Sequence, residues 1–244
     1  MAVLSLDDLR KLHQKKYRRR FGLFLAEGEH LVQELERALP YNSALGDSVL
    51  YVTERYRDYP TSLQVREITQ SAMAKLSDTP SPQGVIACVP TEAVRPSAAA
   101  QPAKSLYFHE IQDPGNLGTI LRTLAWFGGF QCLLSPGSVD PFNSKVVRAG
   151  MGAVFHVPIE EDVTPSALRD RFETFACLDM AGDSVSSPAF RAAACYVFGN
   201  EARGVPQSLI DELQARPFSI AGSGAVESLN LASVVNMCVY ELCR

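Results

Sequence analysis

Short apolar runs alternate with stretches of helical period along most of this 244-residue chain. In the front part, Leu31, Leu35 and Leu39 recur at helical spacing and predict a helix over 27–38. The run at 49–52 reads as a short buried strand. A helix is expected over 71–76, with Ser71 placed to cap it, and a strand over 84–89. The back part is more regular. Strands are predicted at 106–111, 130–134, 174–178, 195–198 and 218–220. Helices are predicted at 119–127, from 145, at 206–213, where Pro206 suits a first turn, and around Leu231, Val235, Cys238 and Leu242.

Between these parts, 89–104 is rich in Pro and Ala and lacks apolar periodicity, as a linker does. The expected organisation is a small α/β domain at 1–90, a linker at 91–104 and a larger domain at 105–244. Alternating strands and helices in the larger part imply an α/β fold with a mostly parallel sheet and helices on both faces. Ligands in such folds bind at the carboxyl ends of strands.

Composition adds few surprises. The chain is 46% apolar, which suffices for one large or two small cores. No apolar run is long enough to span a bilayer, and no secretory leader opens the chain. The six cysteines have no C-x-x-C spacing and sit mostly among apolar neighbours, which suits a reduced cytoplasm. The histidines and cysteines show no metal-site spacing, so metal catalysis is not expected. The net charge of −4 hides an uneven distribution. Residues 1–20 carry seven Lys/Arg and two Asp, a net +5, against 16 Lys/Arg and 25 Asp/Glu, a net −9, in the rest. Lys15, Lys16, Arg18, Arg19 and Arg20, with Tyr17 among them, suit phosphate contacts. They equally suit a solvated helix face.

Three motifs of the back part fall where a strand gives way to a loop or helix. The first is Asn116-x-Gly118-x3-Arg122. Asn116 suits a helix cap. Arg122, in a largely apolar helix, suits a bidentate contact to phosphate or carboxylate, or a plain salt bridge. The second is Gly199-Asn200-Glu201-x2-Gly204. Its glycines permit close backbone approach to a ligand, but it lacks the Lys-Ser/Thr of a phosphate-binding P-loop. Glu201 also reads as an ordinary loop carboxylate. The third is Ser228-Leu229-Asn230, after a loop of small residues, where Ser228 suits either a helix cap or a ligand contact. Gly222-x-Gly224 echoes a dinucleotide fingerprint, but Glu227 stands where the third glycine belongs.

In this order and spacing the three motifs resemble the signature of the SpoU/TrmH family of RNA ribose 2′-O-methyltransferases, within the SPOUT superfamily. The run 143–153 is similar to that family's middle segment. The front part, with Lys16-Tyr17-Arg18, Phe24-Leu25-Ala26-Glu27-Gly28 and Pro82-Gln83-Gly84, resembles the family's L30e-like substrate domain. Two departures are Ala221-Gly222, where Pro-Met is usual, and Leu231-Ala232-Ser233, where Val-Ser is commoner.

The resemblance implies a C-terminal trefoil knot, S-adenosyl-L-methionine as cofactor, a homodimer through the knot domain, and structured RNA as partner. Ribosomal RNA is favoured; transfer RNA, or a non-catalytic RNA-binding protein of the same fold, are the alternatives. It places Gly199, Ile220, Leu229, Asn200 and Gly204 at the cofactor. Asn116, Arg122, Ser228, Asn230 and Glu201 are placed at the reaction centre. Arg148 joins the basic residues of the N-terminal run as an RNA contact.

Overall fold

The computed structural model describes residues 4–95 and 104–244. The chain runs through α1 (Leu6–Lys11), α2 (Lys15–Phe21), β1 (Leu23–Glu27), α3 (Glu29–Ala38), β2 (Val49–Val52), β3 (Gln64–Glu67), α4 (Gln70–Leu76) and β4 (Val85–Pro90). It continues through β5 (Lys104–Phe108), α5 (Pro114–Phe127), β6 (Phe130–Leu134), α6 (Ser144–Ala149), β7 (Ile159–Glu160), α7 (Pro165–Arg171) and β8 (Phe175–Ser184). Last come α8 (Pro188–Arg191), β9 (Cys195–Phe198), α9 (Gln207–Leu213), β10 (Arg216–Ser219) and α10 (Leu231–Leu242). The middle of the expected linker, 96–103, lies outside the described residues.

The chain divides into two compact units. One joins Met1–Arg95 to Asp140–His156, and the other joins Pro96–Val139 to Val157–Arg244. The segment Asp140–His156, expected in the larger domain, therefore packs with the first unit. Aromatic packing is the reason. Phe142 and Phe155 stack on Phe24 of β1, with ring centroids 4.9 and 6.3 Å away.

The first unit holds a mixed four-stranded sheet in the order β1-β4-β2-β3. Strand alternation sends Leu23 and Leu25 to the face opposite Phe24. There they join Leu9, Leu12, Val49, Tyr51, Met73, Leu76, Ile86 and Cys88 in one core beneath α1 and α4. Thr69, not Ser71, caps α4, its side chain accepting from Ala72 N.

One expected RNA contact is overturned here. Arg18 is buried, and its Nε and Nη2 donate to Asp140 Oδ2 at 2.8 and 2.5 Å. Its Nη1 donates to Leu12 O at 2.7 Å, while Asp140 Oδ1 accepts from Phe142 N at 2.8 Å. A guanidinium with its donors spent inside the core has no face to offer a phosphate. Arg18 ties α2 to the segment Asp140–His156.

The second unit holds a six-stranded sheet, order β10-β8-β9-β5-β6-β7, and every pairing in it is parallel. β5, β6 and β9 are buried along nearly their whole length, as strands covered on both faces must be. Tyr107, Leu133, Phe175, Cys177, Cys195 and Val197 face α7 and α9 across one core. Alternation sends Leu106 and Phe108 to the other face. On that side α5 and α10 lie together, joined by a hydrogen bond from Thr123 Oγ1 to Asn236 Oδ1. Among the described residues no helix is long and apolar enough to cross a membrane.

Candidate active site

β5 and β9 are neighbours at the centre of the parallel sheet, and their carboxyl ends deliver the loops 109–113 and 199–204. The first loop ends in an Asp-Pro helix start. Asp113 is the cap of α5, its Oδ1 accepting from Asn116 N at 2.7 Å, and Pro114 occupies the first turn, where no N–H is needed. The capping role expected of Asn116 thus belongs to Asp113, and the Asn116 side chain is available for other work.

That work is a chain of three side chains. Asn230 Nδ2 donates to Asn116 Oδ1 at 2.9 Å, and Asn116 Nδ2 donates to Glu201 Oε1 at 3.3 Å. At the far end, Asn230 Oδ1 accepts from Ala232 N at 2.9 Å and Ser233 N at 3.4 Å, which makes it the cap of α10. Ser228, the expected alternative cap, lies exposed in the preceding loop and makes no capping bond. Glu201 also accepts from Gln112 N and Asp113 N, at 3.2 and 3.0 Å. The carboxylate therefore organises the turn that opens α5. Because each amide is committed at both ends, the network also fixes which way both asparagines point.

The loop 199–204 is closed on itself. Asn200 and Gly204 exchange two backbone hydrogen bonds, of 3.1 and 2.8 Å. A Cβ on Gly199 would lie 2.0 Å from the Gly204 carbonyl carbon, so only glycine fits. Asn200 is buried; its Nδ2 donates to Glu110 O at 2.8 Å and its Oδ1 accepts from Ala202 N and Arg203 N. This departs from the cofactor contact expected of Asn200: its side chain and its backbone are both engaged within the loop, so Asn200 shapes the loop and does not itself offer a free group to a ligand.

Sequence reading missed Glu110. Its φ is +50°, an uncommon left-handed conformation for a residue with a side chain. Its N–H donates to Ser135 Oγ at 2.7 Å, and its carboxylate accepts from Arg203 Nη2 at 2.6 Å. No local pattern marks such a residue. Asp113 was also missed, yet Asp before Pro at a strand-to-helix junction is a start signal. Beside Glu110, burial lowers the His109 imidazole below its ordinary value, which leaves it neutral at neutral pH.

Arg122 lies two turns into α5, is exposed, and makes no ion pair or hydrogen bond among the described residues. A plain intramolecular salt bridge is therefore not its role. Helical side chains lean toward the N terminus, which turns this guanidinium toward the Asn116 end of α5. The loop 221–230 is exposed throughout, with Val226 and Leu229 among the large apolar side chains left open to solvent. Additional side chains at Gly204, Gly222 or Gly224 would meet nothing within 4 Å. Open backbone beside exposed apolar side chains fits a ligand with polar edges and a flat hydrophobic part.

The expected RNA contacts divide. Lys16, Arg19 and Arg20 are exposed on α2, and Lys15 is half-buried. Arg148 is half-buried in the first unit, with Nη1 3.5 Å from Asp78 Oδ2. The Asp78 carboxyl, held below its usual range mainly by a 2.6 Å hydrogen bond from Ser144, is a standing counter-charge for Arg148.

Comparison with known proteins gives these residues a context. Residues 104–240 match the SpoU rRNA Methylase family, and residues 6–87 match an MRM3-like substrate binding domain. The chain is 31% identical over 252 residues to the 23S rRNA (guanosine(2553)-2'-O)-methyltransferase RlmP of Bacillus subtilis, covering 98% of this chain and 95% of that protein. A solved structure of the TrmH family from Porphyromonas gingivalis is 32% identical, with a TM-score of 0.81, over 99% of this chain and 98% of that one. An AdoMet-bound rRNA methyltransferase from Sinorhizobium meliloti is 26% identical, with a TM-score of 0.79, over 97% of this chain and 93% of that one.

Proposed function

Because this chain belongs to the SpoU rRNA methylase family, we propose that it transfers a methyl group from S-adenosyl-L-methionine to a ribose 2′-hydroxyl of ribosomal RNA. The observation that carries this reading is the exposed, unpaired Arg122 on the helix whose first turn is joined through Asn116 to Glu201 and Asn230. Ribosomal RNA is favoured over transfer RNA because a relative aligned along nearly the whole chain acts on 23S rRNA.

When bound, the cofactor supplies an activated sulfonium methyl, so the protein's main task is positioning. Gly199, Gly204, Ile220 and Leu229 hold it: Gly204 and Leu229 from open loop surface, the half-buried Ile220 from the end of β10, and Gly199 by letting the loop 199–204 close on itself. The amino termini of α5 and α10 meet at the Asn116–Asn230 bond, and both present partial positive charge to an anionic backbone. Arg122 then anchors the phosphate beside the reacting ribose and stabilises the alkoxide charge as it develops. A guanidinium stays protonated in proteins, so Arg122 serves as an electrostatic anchor and not as a base, and the proton that leaves the 2′-hydroxyl passes to solvent water at this exposed site. Ser228 contacts the ribose, and Glu201, Asn116 and Asn230 hold the frame.

The reading extends to the whole assembly. The first unit, with a mixed sheet and an exposed basic helix, is an L30e-like domain that docks RNA. The second is a SPOUT knot. In its support, α10 follows β10 from the sheet edge back to α5, and the Gly182 backbone is so close to Pro217 that a Cβ would lie 2.5 Å from its carbonyl. A homodimer forms through α5 and α10, where Trp126 is 84% exposed and Phe127, Met237 and Tyr240 are also open. Five buried free thiols suit a reducing cytoplasm.

The test is transfer of radiolabelled methyl from S-adenosyl-L-methionine to bacterial RNA lacking the modification, fractionated by size, with Arg122→Ala alongside. The expected result is label in large ribosomal RNA, at one site resistant to alkaline cleavage, and about 100-fold less in the variant. Undiminished transfer by Arg122→Ala would refute the role given to the guanidinium.

A further inference from the structure

Helix α2 carries an aromatic row beside a cationic row. Tyr17 and Phe21, one turn apart, stack with ring centroids 6.1 Å apart and planes inclined by 16°. Lys16 and Arg20 repeat the same spacing next to them. Lys16 Nζ lies 4.7 Å from the Tyr17 centroid, and Lys11 Nζ, on α1, lies 5.7 Å from the same ring. The Arg20 guanidinium lies 5.7 Å from the Phe21 ring. Phe21 packs against the core of the unit, which fixes the platform, while Tyr17 is half-buried. Lys16 and Arg20 are exposed and form no salt bridge among the described residues, whereas Lys11 is held by Asp8 at 2.8 Å.

Charge attraction alone does not call for this arrangement. A duplex presents phosphates and groove edges, with its base faces stacked on one another, and it would leave the Tyr17 ring idle. An unpaired nucleotide presents a flat face with a phosphate on either side. Its base can replace the Lys16 ammonium over the ring, and the displaced ammonium then lies beside a phosphate.

We propose that this face of α2 captures an unpaired nucleotide of the RNA, with its base on Tyr17 and its flanking phosphates on Lys16 and Arg20. The proposal rests on the RNA-docking reading of the first unit and deepens it, from attraction to any phosphate backbone to selection of non-helical RNA. Arg18 takes no direct part, since it is spent on Asp140.

Binding of the full chain to two RNAs tests this: a hairpin with 2-aminopurine in its loop, and a fully paired duplex with 2-aminopurine in its stem. Tyr17→Leu is expected to weaken hairpin binding about ten-fold, remove the fluorescence change of the loop base, and leave duplex binding unaltered. Tyr17→Phe should keep hairpin affinity. Lys16→Gln with Arg20→Gln should weaken both RNAs and lower the salt dependence by about two phosphate contacts. Unchanged hairpin binding by Tyr17→Leu, or equal loss on hairpin and duplex, would overturn the stacking proposal even if the double variant binds weakly. If the double variant also binds both RNAs normally, the assignment of this surface to RNA docking fails as well.

Discussion

Asn230 caps α10 and, through its other amide end, reaches Asn116 at 2.9 Å across 114 residues of sequence. One side chain thus secures the last helix and links it to the turn that opens α5. The two duties are separable by chemistry. Asn230→Ala removes both, and should cost about 1 kcal/mol of stability together with most activity. Asn230→Asp keeps an oxygen for the cap but has no amide hydrogen for Asn116. It should unfold in denaturant close to the parent while losing activity. Denaturant titration alongside single-turnover methyl transfer checks both arms.

Glu201 gathers Gln112 N, Asp113 N and the Asn116 amide on one carboxylate. Hydrogen bonds to a charged acceptor are about twice as strong as neutral ones. Glu201→Gln should therefore lower kcat by about ten-fold while cofactor affinity changes little, with Glu201→Ala losing more. Calorimetric titration of the cofactor, set against methyl transfer rates, separates the two quantities. An equal fall in both would place Glu201 at the cofactor instead.

Trp126 stands one turn beyond Arg122 on α5, and Phe127 meets Tyr240 of α10 edge-on at 6.4 Å. An apolar face beside the guanidinium is expected to be covered by a second copy. Trp126→Glu should give a folded monomer with little activity. Sedimentation equilibrium reads this directly, and a variant as dimeric as the parent would move the interface elsewhere.

The Arg18–Asp140 pair is buried, at 5% and 7% side-chain exposure. Removing either partner strands a charge in the core and should cost about 3–5 kcal/mol. Arg18→Met with Asp140→Leu should cost less than the two single losses added, since no charge is then left alone. A double-mutant cycle from denaturant unfolding measures the difference. The single variants should lose stability at every salt concentration, unlike substitutions at the exposed Lys16.

Burial pushes the Cys88, Cys177, Cys195 and Cys238 thiols up to about 12. In the unfolded chain they ionise near 8.5. A raised folded value means that the unfolded state releases protons first. Stability is then fully present below about pH 8.5 and falls as pH climbs toward 12. Unfolding free energies measured from pH 7 to pH 10 should decline over the upper half of that range. Replacing Cys195 with Ala should flatten the decline.

Pattern alone determined the parallel core. The runs at 130–134 and 195–198 are apolar at nearly every position because helices cover both faces of those strands, and the structure places both strands there. The front sheet was half visible. β3 lies at its edge with partly exposed, mainly polar residues, so no burial pattern marks it in the sequence. The three motifs showed where the site lies, because loops at strand ends keep their polar and glycine residues close together in sequence. How those residues share the work was decided only in three dimensions. Whether Ser228 or Asn230 caps α10, and whether Asn116 caps α5 or bridges it to Glu201, depends on partners about 85 to 114 residues away. The basic run shows the same limit. Arg18 and Arg19 are neighbours of the same type, and their positions on a helix send one into the core and the other to the surface. Arg18 finds its counter-charge at Asp140, 122 residues further on, a pairing that charge counting along the chain cannot reveal.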